Sequence, residues 1–345
     1  MNTEELPYKP SLIDRLNRWI AELPINLWLF HLLLTLILIV IQILFLWVDG
    51  GLHATEIVPV IIFNSLAVPF LLLLIYLLDQ QALTALASMK PVLDMTEQVY
   101  TEYRYRFSNM PFFAPLLAGL ALTIMTILTP LVSTDPLRYA ILEQTPRFSV
   151  VYHIIDKGSA FLFGVVLYYL VRHLRLVNSI YDQHVRIDLF QLDPLQALSR
   201  VTTSTITGLL IFLYAWMLIN PELLTDPVLV GLIIIFTIIP ISVFLWPLWG
   251  VHRIIDREKR AVLYDIDLRF EAVLIQFNQY LDEGDYISAE KLNGVINSLH
   301  IQRRRIIDIP TWPWRAETAR LVLTAIALPL FMMILQYFVV RALPG

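Results

Sequence analysis

Hydrophobic and polar positions alternate along this chain in blocks far longer than a soluble core needs. Seven runs of about 20 apolar residues, roughly 25–48, 57–78, 111–133, 149–171, 205–224, 228–250 and 317–341, each predict a helix long enough to cross a bilayer. Several carry Trp or Tyr near an end, as interfacial belts do: Trp28, Trp47, Tyr168, Trp246 and Trp249. Pro69, Pro130, Pro240 and Pro329 fall within or near the ends of these runs. Each predicts a kink unless neighbours re-satisfy the freed carbonyl. Two proline turns, Asn220-Pro221 and Asp226-Pro227, make the fifth and sixth runs an antiparallel pair.

The polar blocks also have helical periods. Ser11 is placed to cap a short amphipathic helix, with Leu12, Ile13, Leu16, Trp19, Ile20 and Leu23 assigned to one side. Arg15, Arg18 and Trp19 fit a helix in the headgroup layer; a lead-in packed on the protein fits equally. After Pro91, Val92, Met95, Val99, Tyr103 and Phe107 recur at helical spacing, whereas residues 184–189 alternate as an extended piece before a helix starting near Pro194. Between the sixth and seventh runs, Leu263, Ile266, Phe270, Val273, Phe277 and Tyr280 form one narrow seam. Gly284 is suited to a left-handed cap and Asp285 to the next N-cap. Ala289, Leu292, Ile296 and Leu299 continue the seam on a returning helix. The turn Gly284-Asp285-Tyr286 also occurs in tetratricopeptide-type repeats, but with a single copy a plain hairpin is the simpler reading.

The expected fold is therefore all-α and polytopic. Residues 1–24 form an interfacial segment, 25–250 a six-helix transmembrane bundle, 251–316 a helical hairpin, and 317–345 the seventh span and tail. Composition agrees, with 57% apolar and 16% charged residues and a mean hydropathy of +0.67. Soluble domains carry about 25% charged residues. With the N-terminus inside, the cytoplasmic segments hold 20 Lys and Arg, against three outside (Arg138, Arg147, Arg341), which places the C-terminus outside. The polar, acidic N-terminus argues against a cleaved leader, and a multi-pass protein of the plasma membrane is expected. A net charge of −4 gives no reason to expect nucleic acid, and with no cysteine there are no disulfides or thiolate metal sites.

Ionisable groups within apolar runs are the default functional candidates, because each costs at least about 2.5 kcal/mol when central. Only the fourth run has a cluster: Tyr152, His153, Asp156, Lys157 and Ser159. His153 and Asp156 share a face. Asp156 and Lys157 lie about 100° apart around the helix and do not form an i, i+4 pair. Tyr152, His153, Asp156 and Lys157 are thus candidates for binding a small molecule or coupling an ion, or they sit in the outer interface. His31, Gln42 and Asn64 are expected to satisfy helix–helix contacts, and Thr123, Thr126 and Thr129 to bond back to their own helix. Arg303, Arg304 and Arg305, just before Trp312 and Trp314, fit a positive anchor at the lipid surface. No His-Glu-x-x-His, phosphate loop or nucleophile elbow occurs, so neither an enzyme nor a cofactor or metal site is expected.

Seven spans with this orientation, and a cytoplasmic helical body feeding directly into the last span, resemble the insect odorant and gustatory receptor family. That family's last helix carries Thr-Tyr, five apolar residues, then Gln and an aromatic. Here Phe331-Met332-Met333-Ile334-Leu335 precede Gln336-Tyr337, while Pro329-Leu330 stand in place of Thr-Tyr. The resemblance implies a tetrameric ligand-gated cation channel. Pro329, Met332, Gln336, Val339 and Val340 would line its pore, and Leu263, Ile266, Phe270, Val273, Phe277, Leu292, Ile296 and Leu299 would assemble the homo-oligomer. Two other readings remain: a membrane-anchored scaffold or sensor whose hairpin holds a protein partner, and a secondary transporter. Duplicated halves and several buried charges would mark the latter.

Overall fold

The computed structural model describes residues 7–51, 57–129, 141–184, 193–219 and 227–311, together with the single positions 320, 324 and 331. Its helices are α1 (Leu12–Glu22), α2 (Leu27–Val48), α3 (Val58–Met89), α4 (Glu97–Ser108), α5 (Phe113–Leu128), α6 (Pro146–His184), α7 (Asp193–Ile219), α8 (Pro227–Glu283) and α9 (Tyr286–Asp308). A 3-10 turn, Lys90–Val92, follows α3. No strand occurs among the described residues; the only pairing of extended backbone there is an isolated bridge between Pro10 and Pro111. Among the described residues, three helices are long and apolar enough to cross a membrane: Leu27–Val48, Val58–Val92 and Pro146–Ile180. The apolar helix Phe113–Leu128 and the apolar part of α7, Ser204–Ile219, are shorter. The predicted run 228–250 lies at the head of α8. Apart from positions 320, 324 and 331, the seventh run, with Pro329, Met332, Gln336, Val339 and Val340, lies outside the described residues, as does most of the piece expected to be extended.

The α6 helix is the axis of the bundle, packing on α2, α3, α4, α5, α7 and α8. Its middle, Val165, Val166, Tyr169 and Leu170, meets Leu71, Ile75 and Leu78 of α3 and Ile206, Leu209 and Leu210 of α7 in the largest core. A second core continues past the apolar runs, where Ala82, Leu86 and Met89 pack on Tyr103, Phe107, Val177, Ile180 and Ile255. This explains why α3 and α6 run on beyond the predicted ends at 78 and 171. At 1.5 Å per residue they are about 48 and 58 Å long, against a hydrocarbon layer of about 30 Å. By contrast, α2 shows most of its apolar side chains to the surroundings, including Leu29, Leu32, Leu36, Val40 and Leu44. Its two exposed tryptophans, Trp28 and Trp47, lie about 28 Å apart along the axis.

Close backbone approach joins α5 to α6. A Cβ on Gly164 would come within 2.5 Å of the Ala118 carbonyl oxygen, and one on Gly119 within 2.5 Å of the Phe161 ring. Buried polar side chains tie α2 and α3 to α6. Gln42 donates to Ser65 Oγ at 2.6 Å, and Asn64 donates to the Tyr152 carbonyl at 3.2 Å and to Gln42 Oε1 at 3.4 Å. The expected helix–helix role thus holds for Gln42 and Asn64. His31 instead bonds within its own helix, to the Leu27 carbonyl at 2.8 Å. The three threonines of α5 bond back to Gly119, Thr123 and Met125, as their spacing predicts.

The hairpin follows its sequence closely. Gly284 takes φ +76, its N–H reaches the Leu281 carbonyl at 3.2 Å, and the Asp285 N–H reaches that of Tyr280 at 2.9 Å. That pair of bonds is the Schellman stop. Asp285 then caps α9 by accepting from the Ser288 N–H at 3.1 Å. The seam closes on itself, with Ile266, Leu299 and Ile306 buried and Leu263, Phe270 and Val273 packed around them. Arg303 crosses to Asp267 at 2.8 Å rather than serving only as a lipid anchor. Lys259 caps the far end of α9 through the Ile307 and Ile309 carbonyls. α8 runs unbroken for 57 residues through Pro240 and Pro247, from the sixth apolar run into the first arm of the hairpin.

Two substitutions test these contacts. Gly164→Ala should cost about 1–3 kcal/mol, because α5 and α6 must separate to admit the methyl. Gly284→Ala should cost about 1–2 kcal/mol for placing a Cβ in left-handed backbone. Thermal unfolding in detergent reads both, and an unchanged midpoint for either refutes the corresponding contact.

Candidate functional site

A cavity of about 120 Å³ opens between α3, α5, α6 and α7, at the end of the bundle where α3 and α6 begin. Its floor is aromatic: Phe212 lies against Phe63 and Phe163 at centroid distances of 5.4 and 5.3 Å, with Leu122 and Trp216 beside them. Its polar lining is Asn64, Thr126, Tyr152, Asp156 and Ser159. Helical spacing explains the convergence, since 152, 156, 159, 160 and 163 recur at three and four residues and form one face of α6.

Of the four side chains singled out in the sequence, Tyr152 and Asp156 line the cavity. His153 is exposed and meets the Tyr152 ring edge-on at 5.5 Å. Lys157 does not line the cavity, and its Nζ donates to Asp156 Oδ2 at 2.8 Å and to the Thr126 carbonyl at 3.2 Å. The two adjacent charges therefore pair although they lie on different faces, because the lysine chain is long enough to bend back to its neighbour. Gln42 and Asn64 support the site from behind, since the Asn64 amide holds the Tyr152 carbonyl in place.

A second polar cluster, not singled out in the sequence, occupies the opposite end, where α1 docks. The one-sided reading of α1 is corrected here. Ile13, Asp14, Asn17 and Ile20 face the protein, and Leu12, Leu16 and Trp19 are exposed. Polar groups supply much of the docking. Asp14 accepts from the Met110 N–H at 2.7 Å and from the Ser11 N–H at 3.1 Å, completing a capping box with Ser11. Asn17 donates to the Leu72 carbonyl at 3.2 Å, and Arg18 to Asn109 Oδ1 at 2.8 Å. Tyr8 donates to the Asn109 carbonyl at 2.8 Å and accepts from Arg172. Nearby, Asp79 faces Tyr169 and Arg172, and His173 stacks on Tyr169 at 3.8 Å while bonding the Phe107 carbonyl at 3.0 Å. Tyr169, Arg172 and His173 share a face of α6 at i, i+3 and i+4, a pattern that could have marked them.

Burial raises the Asp14 carboxyl above its ordinary value of 3.8, against the lowering effect of its bonds to Met110 and Ser11 and of the Arg172 charge. Burial also pushes the Tyr8 hydroxyl up to about 12, so it stays protonated and able to donate at neutral pH. No group of three or more His, Cys, Asp or Glu among the described residues could hold a metal ion. The chain matches no protein-family model, no curated protein and no solved structure.

Asp14 yields a pH prediction. Its raised folded pKa means the folded chain binds the proton more tightly than the unfolded one. That contribution is therefore complete below about 3.8 and is lost as pH rises through the raised value. Docking of α1 should strengthen on acidification toward pH ~4, and Asp14→Asn should flatten that dependence. Asp14→Ala, which leaves the Met110 N–H unpartnered, should cost about 1–3 kcal/mol at neutral pH. Unfolding midpoints across this range check it; a pH dependence unchanged in Asp14→Asn refutes it.

Proposed function

We propose that this chain is a multi-pass plasma-membrane protein that binds a small molecule in the cavity and answers as a ligand-gated, oligomeric ion channel. The observation that carries the reading is the cavity itself, with an aromatic floor under Asn64, Tyr152 and Asp156. Ligand sites are concave, mostly apolar and fitted with a few convergent polar groups. In this reading all seven runs cross the bilayer, the N-terminus is cytoplasmic, the C-terminus is outside, and the cavity lies in the outer half. The exposed apolar surface of α2 and the spacing of Trp28 and Trp47 support a bilayer around the bundle.

The remaining parts of the proposal rest on sequence. Pro329, Met332, Gln336, Val339 and Val340 share a face of the last run and would line the pore. The hairpin joins the subunits, as a tetramer if the resemblance extends to stoichiometry. Leu263, Ile266, Phe270, Val273, Phe277, Leu292, Ile296 and Leu299 then contribute by holding the hairpin shut as a rigid unit. The exposed Tyr264, Leu268 and Ile275 on the other side of α8 are the apolar surface left for a second copy. A second reading, an anchored scaffold without transport, is favoured by the hairpin tip, where Tyr286 and Ile287 stand 71% and 72% exposed.

Purified protein in planar bilayers should pass current and migrate in detergent as an oligomer that dissociates when residues 252–306 are deleted. A monomeric, non-conducting protein refutes the channel reading. Because the chain has no cysteine, single cysteines report topology cleanly. Leu281→Cys in intact cells should react with an impermeant maleimide only after permeabilisation, and labelling of unbroken cells would invert the proposed orientation.

A further inference from the structure

The cavity's hydrogen-bonding groups are unevenly divided. Asn64 directs its amide hydrogens to the Tyr152 carbonyl and to Gln42 Oε1. Ser159 donates to the Asp156 carbonyl at 2.8 Å, and Thr126 to that of Thr123 at 2.8 Å. Tyr152 and Trp216 are engaged within the protein as well. For Asn64, Ser159 and Thr126, what remains for an occupant is oxygen lone pairs, because a hydroxyl or carboxamide that has donated its hydrogens can only accept. Asp156 adds a carboxylate of which Lys157 engages one oxygen, Oδ2. The lysine Nζ is held at that oxygen at 2.8 Å and at the Thr126 carbonyl at 3.2 Å, and Lys157 is not part of the lining.

The walls carry the same sign. Phe63, Phe163 and Phe212 pack together beneath the polar rim, and aromatic faces are the negative part of the ring quadrupole. Cations are attracted to such faces more strongly when desolvated. A carboxylate ligand would meet acceptors and Asp156, and a neutral alcohol would bring a single hydrogen. An ammonium brings three donors and a charge. The volume of about 120 Å³ limits the body to a single ring or a short alkyl chain; an apolar cavity of about 150 Å³ holds benzene.

We propose that the cavity selects a small organic ammonium ion, its charged head among Asp156, Asn64 and Ser159 and its apolar body on the phenylalanine floor. This rests on the cavity being a ligand site, and the test separates the two claims. Full-length protein in nanodiscs is titrated calorimetrically, at one pH near neutrality, with benzylamine, benzyl alcohol and benzoate, which share a ring and differ in head charge. Benzylamine should bind at least about tenfold more tightly than benzyl alcohol, the ratio expected from a single charge-assisted hydrogen bond, and benzoate should not bind. Asp156→Asn should remove the preference for benzylamine while leaving benzyl alcohol binding in place. Lys157→Gln, which frees the carboxylate from its competitor, should tighten benzylamine.

If benzyl alcohol binds as well as benzylamine to the unaltered protein, ammonium selectivity is overturned and the ligand site stands. Tightest binding of benzoate makes Lys157 the recognising group and also overturns it. Binding of none of the three overturns both claims.

Discussion

The fold depends on buried hydrogen bonds that tie its helices to one another. Apolar faces surrounded by lipid gain little by meeting one another, so close packing and polar contacts must fix the arrangement. The Asn64 amide does this beside the cavity, reaching from α3 to the Tyr152 carbonyl of α6 while also meeting Gln42 of α2. Where side chains are small, backbones meet instead, as at Gly164 against Ala118. Both devices converge on α6, the helix that forms one wall of the cavity and part of the polar cluster at its far end.

The cavity follows from the same constraint. Helices held apart by polar struts and aromatic rings leave space where no small residue draws them together. Asn64, Ser159 and Thr126, which line it, direct their hydrogens to partners within the protein.

Local features were legible because their causes are local. Gly284 and Asp285 announce a stop and a start, the 3-4 seam announces a hairpin, and the threonines of α5 announce bonds to their own helix. The face of α1 was not legible, because its partners, Asn109 and Met110, lie about ninety residues away, and a buried aspartate mimics an exposed one until they are in place. The ends of α3 and α6 were misplaced for a related reason. Hydropathy marks where lipid would end, whereas the helices continue into a second core. Asp156 and Lys157 show a limit of helical-wheel arguments, which treat a flexible side chain as a fixed spoke.

The unbroken α8 has a mechanical consequence. It is an arm seated in the apolar bundle at one end and stiffened along its outer part by α9, with no hinge between. The stretch from residue 251 to residue 283 alone spans about 50 Å. A tilt of about 5° at its root would swing the hairpin tip by about 4 Å, roughly the width of a side chain. A small shift among helices packed at its root would then reach the hairpin tip enlarged rather than damped.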